Sequence, residues 1–190
     1  VVEAFRLAQK ASPNAELYYN DYNNEQPNKR AGCIALIKKI QAAGVRIDGV
    51  GIQGHWHAGK LQLKDIEESI IAYAALGLKV MITELDLEVL PRDFQGADVN
   101  NRVASNPSLN PFVIGIPDSV LKQQAKDYEN LFKLFSKHQD KIVRVTLWGV
   151  SDGQSWLNNW PVRGRTNYPL LFDRSYNPKP AYNAIMALKK

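Results

Sequence analysis

The sequence predicts an α/β fold carried on a parallel sheet, and three features point there. Segments of strand character alternate with segments of helical periodicity along the chain, in the order α-βα-βα-βα-βα. The strand segments are mostly apolar runs, as strands buried on both faces require. Each of them also ends in polar, acidic or aromatic residues, where parallel α/β sheets gather their chemistry. Two architectures satisfy this pattern: an open doubly wound sheet, or part of a (β/α)8 barrel, whose full form takes about 250 residues. The 190 residues supply one leading helix and then half of such a barrel's units.

The elements follow in order. Residues 1–10 set Val2, Phe5 and Leu7 among Glu3, Arg6 and Lys10, a helix that stops near Ser12-Pro13-Asn14. Ala15–Tyr19 reads as a short strand that runs into a polar, turn-rich NDYNNEQPN. Residues 29–43 carry apolar residues at helical spacing, and Gly44 closes them. A strand over Ile47–Gln53 ends in Gly54-His55-Trp56-His57. A helix from about Asp65 to Leu76 is closed by Gly77, and a strand from Lys79 to Leu87 follows. Residues 91–117 are Asn- and Pro-rich without clear periodicity, as in a functional loop or excursion. A long helix from about Asp118 to His138 leads to a strand over Ile142–Val150, a loop over Ser151–Pro180 and a last helix over Ala181–Lys190.

Composition narrows the function. With 45% of residues apolar the chain can build a core, and its single cysteine, Cys33, excludes a disulfide framework or a Cys-rich zinc site. Cys33 itself reads as a small core residue on its helix. No apolar run approaches the roughly 18 residues of a membrane span, and the opening VVEAFRLAQK is no signal pattern. The net charge of +5 comes from dispersed Lys and Arg, which read as solvated helix faces, so neither nucleic acid nor membrane is an expected partner. There is no GxGxxG or Walker loop, which weakens a nucleotide reading and a flavodoxin-like sheet with it. His138, near the end of a Lys-rich helix, reads as a surface residue.

The strand ends form one site. They are Asn20-Asp21-Tyr22-Asn23, Gln53-Gly54-His55-Trp56, Thr83-Glu84-Leu85-Asp86 and Trp148-Gly149-Val150-Ser151-Asp152. Glu84 and Asp86 are two apart, so strand alternation points both the same way. Like charges on one buried face raise each other's pKa unless a donor lies between them. His55, at matching depth on the neighbouring strand, is the candidate donor, and a Glu–His–Asp array would keep Glu84 ionised and oriented as a nucleophile requires. His55 and His57 with the two carboxylates could also bind a metal, but alternation is expected to send the two histidines to opposite faces, so no metal and no cofactor is expected. Tyr22, Trp56, Trp148, Trp156 and Trp160 lie at or just beyond strand ends, and aromatic faces beside amides and carboxylates suit sugar rings. Trp160 serves equally well as core closure.

NDYN at 20–23, GIQGHW at 51–56, VMITELD at 80–86, TLWGVSDGQSWL at 146–157 and NYPLLFDRSYNPKPAY at 167–182 together resemble the second half of family 10 glycoside hydrolases. The resemblance covers nearly the whole chain, residues 91–117 being atypical. It implies an eightfold β/α barrel and a mainly secreted endo-1,4-beta-xylanase, here with a secreted or periplasmic address in a bacterium. By position it makes Glu84 the nucleophile, His55 its hydrogen-bonding histidine and Asp86 the third member of that network. Gln53 matches an amide beside the acid/base residue. Tyr22 resembles a sugar platform on the leaving-group side, Trp148 and Trp156 resemble residues enclosing the sugar at the cleavage point, and Asn20 is a candidate substrate contact.

Family members carry the acid/base glutamate in a Trp-Asp-Val-Val-Asn-Glu type motif at the end of the fourth strand, and these residues contain no such motif. The four strands therefore correspond to the fifth through eighth, the C-terminal half of the catalytic barrel. The expected partners are xylan or xylo-oligosaccharide and the N-terminal half of the barrel, on the same or a separate chain. A retaining mechanism needs a second carboxyl about 5–5.5 Å from the nucleophile. Glu25 is the nearest carboxylic acid on a strand-end loop, and nothing marks it as a substitute. The rival reading is a carbohydrate-binding or self-associating half-barrel, which needs the tryptophans but has no use for a buried carboxylate network.

Overall fold

The computed structural model describes residues 1–92, 100, 102–104 and 106–188. Its elements are α1 (Val2–Ala11), β1 (Tyr18–Asp21), α2 (Pro27–Ala42), β2 (Gly49–Ile52), β3 (His55–His57), α3 (Leu63–Ala74), β4 (Lys79–Glu88), α4 (Asp118–Lys137), β5 (Ile142–Leu147) and α5 (Pro180–Met186). Short 3-10 turns lie at Pro107–Leu109 and Asp152–Gln154. The alternating α/β order and the parallel pairing agree with the sequence reading.

The chain divides into two compact units. The first comprises residues 1–54, 62–83 and 138–146. Here β1 pairs parallel with β2, and β2 with the first half of β4, Gly51 facing Asn20 on one side and Met81 on the other. β5 also pairs with β4. Val50, Ile52, Val80 and Ile82 are fully buried, with Ile37 and Ile40 of α2 and Ile66, Ile70 and Tyr73 of α3 in the same core. α2 begins with Pro27, whose missing N–H costs nothing in the first turn, and ends before Gly44 at φ +66°. His138 corrects a sequence expectation: it is buried, and its Nε2 lies 2.7 Å from Glu67 Oε1.

The second unit comprises residues 55–61, 84–137 and 147–190. β3 pairs parallel with the second half of β4, setting His55 beside Asp86, Trp56 beside Leu87 and His57 beside Glu88. Leu85, Leu87 and Leu90 are fully buried, and Tyr128 and Leu131 of α4 join this core. Gln124 Nε2 donates to the Leu87 carbonyl at 3.1 Å and Tyr128 to the Pro169 carbonyl at 2.7 Å, so buried hydrogen bonds tie α4 to β4 and to the long loop after β5. The long loop after β5 is anchored by a buried Lys179–Asp152 pair at 3.0 Å, and Lys179 Nζ also donates to the Tyr168 and Leu170 carbonyls.

Several boundaries move. Ala15–Tyr19 becomes β1 at Tyr18–Asp21, Ile47–Gln53 contracts to β2, and Ile142–Val150 stops at Leu147. A separate three-residue β3 was not expected: Gly54 takes φ +83° and breaks the strand before His55. The last helix ends at Met186, and the last two residues of its expected span lie outside the described residues. So do 93–99, 101 and 105 of the 91–117 segment. Among the described residues no helix is long and apolar enough to cross a membrane.

Candidate active site

β4 is where core and site meet. Its even-numbered residues from 84 onward, Glu84, Asp86 and Glu88, share one face by strand alternation. The odd-numbered Leu85 and Leu87 are fully buried. Parallel register brings His55 beside Asp86, so the imidazole lies between two carboxylates. Its Nδ1 is 3.0 Å from Asp86 Oδ1 and its Nε2 is 3.1 Å from Glu84 Oε2. An ionised carboxylate can only accept, so both contacts are made when the ring is the doubly protonated imidazolium. Burial pulls the His55 pKa down, but the hydrogen bonds and charges of Asp86 and Glu84 outweigh it and leave it raised.

Aromatic rings enclose this array. Trp156 Nε1 donates to Asp86 Oδ2 at 2.8 Å, so both oxygens of a carboxylate only 1% exposed are engaged. The Trp156 and Trp148 rings meet the His55 ring edge-on, with centroids at 5.1 and 6.2 Å. Trp148 is 45% exposed and offers an accessible face beside the array, while Trp160 is 2% exposed and stacks on Trp156 at 4.7 Å. Glu84, His55, Asp86, Trp148 and Trp156 are thus brought together within the second unit.

The other expected residues belong to the first unit. Asn20 Oδ1 accepts from Thr83 Oγ1 at 2.7 Å, a bond that passes over Gly51 between β1 and β4. A Cβ on Gly51 would collide with Asn20 Oδ1 and lie 2.9 Å from Thr83 Cγ2, so the close approach requires glycine there. Tyr22 is half-exposed with Lys29 Nζ 3.8 Å above its ring, and Lys29 also pairs with Asp21 at 2.9 Å. Gln53 is half-buried at the end of β2, and its N–H donates to the Asp21 carbonyl at 3.1 Å. Glu25 is buried, and its backbone carbonyl accepts from Ser69 Oγ at 3.0 Å.

The expected divergence of the two histidines is corrected. Strand alternation places residues two apart on the same side, and in β3 His55 and His57 are half-buried while Trp56 between them is buried. His57 turns to backbone instead, with Nδ1 2.7 Å from the Ala58 carbonyl and Nε2 2.9 Å from that of Leu90. Among the described residues no cluster of His, Cys, Asp and Glu is arranged to hold a metal.

Glu88 and its partners were missed, although the Glu84-Leu85-Asp86-Leu87-Glu88 alternation carried the signal. Glu88 is buried between Arg92 Nε at 2.6 Å and Arg165 at 2.9 Å, and Asn167 Nδ2 donates to it at 2.9 Å. Burial pushes its carboxyl up to about 7, against the pull of both guanidiniums.

Known proteins are similar to this chain in sequence and fold. The sequence model for glycosyl hydrolase family 10 matches residues 1–188. Endo-1,4-beta-xylanase A of Xylanibacter ruminicola is 47% identical over 97% of the chain and 51% of its own length. The thermostable celloxylanase of Thermoclostridium stercorarium is 42% identical over 96% of the chain and 44% of its length. Among solved structures, an endoxylanase from a sugarcane soil metagenome superposes with a TM-score of 0.94 at 45% identity, covering 99% of this chain and 55% of that one. Xylanase B from Clostridium stercorarium F9 gives 0.86 at 40% identity, with 98% and 51% covered. The chain therefore spans about half the length of the relatives it matches, and its parallel α/β elements are those of about half a (β/α)8 barrel. With a family model matched over 188 residues, the chain belongs to glycosyl hydrolase family 10.

Proposed function

We propose that this chain carries the nucleophile half of a retaining endo-1,4-beta-xylanase acting on internal bonds of xylan. The observation that supports this most directly is His55 bridging Glu84 and Asp86 at 3.1 and 3.0 Å. A carboxylate held by a fixed donor beside open aromatic faces is prepared for attack, which a binding platform does not need. Glu84 attacks the anomeric carbon and the bond to the leaving oxygen breaks, giving a glycosyl ester on Glu84. The leaving oxygen takes its proton from a second carboxylic acid. That acid then deprotonates a water, which attacks the same carbon and releases Glu84.

In this reading His55 and Asp86 hold Glu84, and Trp148 and Trp156 enclose the sugar being cleaved. Gln53, Tyr22 and Asn20 contact substrate from the ends of β1 and β2. The acid/base carboxyl belongs to the N-terminal half of the barrel, and the enzyme works outside the cytoplasm, where its polymer is.

The test is trapping. The intact enzyme containing this chain is incubated with a 2-deoxy-2-fluoro-xylobioside bearing a dinitrophenolate leaving group, digested and read by mass spectrometry. The expected adduct lies on the peptide carrying Glu84, and the Glu84→Gln variant retains less than about a thousandth of xylan hydrolysis. An adduct on another carboxylate, or xylan products of inverted configuration, overturns the assignment. Culture fractionation that finds the enzyme confined to the cytoplasm overturns the proposed address.

A further inference from the structure

We propose that Trp160, held by Arg92, Arg165 and Glu88, is a positioning residue for the Asp86–His55–Glu84 array and acts through Trp156. Its effect on rate rests on the reading of Glu84 as nucleophile, while its effect on His55 does not.

Trp156 reaches Asp86 through one hydrogen bond from the long loop after β5, and a ring on a loop needs something to fix it. Trp160 supplies that support, its ring lying 4.7 Å from that of Trp156 at an interplanar angle of 33°. The Arg92 guanidinium lies 5.3 Å over the Trp160 ring, close enough for a cation–π contact. Arg165 holds the backbone, donating to the Trp160 carbonyl at 3.4 Å and to the Pro91 carbonyl at 2.7 Å. Both guanidiniums converge on the Glu88 carboxylate, at 2.6 and 2.9 Å.

Glu88 is two residues beyond Asp86 on the same face of β4. The contacts therefore leave β4 at Glu88, pass through the arginines to Trp160 and Trp156, and return to β4 at Asp86. Filling this volume would not require charge, because buried ion groups replaced by apolar residues are often no less stable. What the charges add is direction. They set the plane of Trp160, and Trp160 in turn sets where the Trp156 N–H points.

The experiment uses the intact enzyme containing this chain, with Trp160→Leu, Trp160→Phe and Arg92→Leu. Two quantities are read: the titration midpoint of the His55 imidazole by NMR, and the kinetics of xylan hydrolysis and Glu84 trapping. The charged groups facing His55 are Asp86 and Glu84. When Trp156 withdraws its N–H, Asp86 interacts more strongly with the imidazolium. Trp160→Leu and Arg92→Leu are expected to raise the midpoint by about half a pH unit. Trapping and kcat are expected to slow about 10- to 100-fold, with KM within about threefold, and Trp160→Phe to restore both to within about threefold because it keeps a flat ring under Arg92.

An unchanged His55 midpoint with a lowered melting temperature overturns the proposal, as does a loss confined to KM. If the unsubstituted enzyme forms no adduct on Glu84, the nucleophile assignment fails, and the His55 midpoints still decide the positioning role. Should Trp160→Leu not fold, Arg92→Leu, which changes a side chain at the edge of the cluster, decides both measurements.

Discussion

Trp156 donates its indole N–H to Asp86 Oδ2 at 2.8 Å while His55 takes the other oxygen of the same carboxylate at 3.0 Å. An indole from the loop after β5 and the histidine between the two carboxylates thus share one buried acceptor. Replacing Trp156 by Phe keeps an apolar ring and removes the N–H. Asp86, almost without solvent, then loses a charge-assisted bond worth about 1.5–3 kcal/mol. Urea unfolding of the variant should show a loss of that size. A loss below about 0.5 kcal/mol would mean that water replaces the indole N–H there.

The histidine makes stability depend on pH. Its folded-state pKa lies above the ordinary 6.5, since Asp86 and Glu84 outweigh the opposing effect of burial. The folded protein therefore holds a proton that the unfolded chain releases, and the stability this gives is complete below about 6.5. It is lost as pH rises through the folded-state value. Unfolding free energies measured from pH 6 to 9 should fall across that window, and His55→Asn should remove that part of the slope.

Glu88 acts in a lower window. Burial raises its carboxyl from 4.5 to about 7, so the folded state keeps this proton between those values and the unfolded chain does not. Its contribution to stability falls as pH rises from about 4.5 to 7. Glu88→Gln cannot ionise and lacks this fall. Between pH 5 and 8 the difference in stability should move toward the variant, by at most about 3 kcal/mol. Movement toward the parent protein would mean that Arg92 and Arg165 outweigh the burial.

Gly51 tests the first unit. A methyl group there meets Asn20 Oδ1 and Thr83 Cγ2 across the middle strand, and the Thr83–Asn20 bond of 2.7 Å crosses the same point. Gly51→Ala is expected to cost about 1–3 kcal/mol, as overpacking does. It should also break the Thr83–Asn20 bond, visible as a changed Thr83 methyl shift by NMR. Unaltered stability and shift would mean that β1 and β4 move apart freely.

Much of this arrangement was legible beforehand because it is periodic. Alternation put Glu84 and Asp86 on one face, parallel order put His55 alongside, and apolar runs marked β2, β4 and β5. Three residues of β3 are too few to show a period, and the positive φ of Gly54 separates them from β2. The buried basic residues were illegible for another reason. Arg165, Lys179 and His138 look like surface residues until Glu88, Asp152 and Glu67 arrive from 77, 27 and 71 positions away, and no local pattern announces such a meeting. Glu88, the third carboxylate of that face, could have been read from the alternation, but its arginines could not.

β4 also sets a rule of parity. Because Leu85 and Leu87 fill the core while Glu84, Asp86 and Glu88 face the other way, each residue from Glu84 to Glu88 has its destination fixed by whether its number is odd or even. Substitutions change one position at a time and leave that assignment alone. A single inserted or deleted codon just before Glu84 would reverse it, moving three carboxylates to the leucines' apolar face and the leucines to the face of His55 and the arginines. From Glu84 to Glu88, length is a stricter inheritance than identity: side chains there can change one at a time, but one added residue displaces all of them.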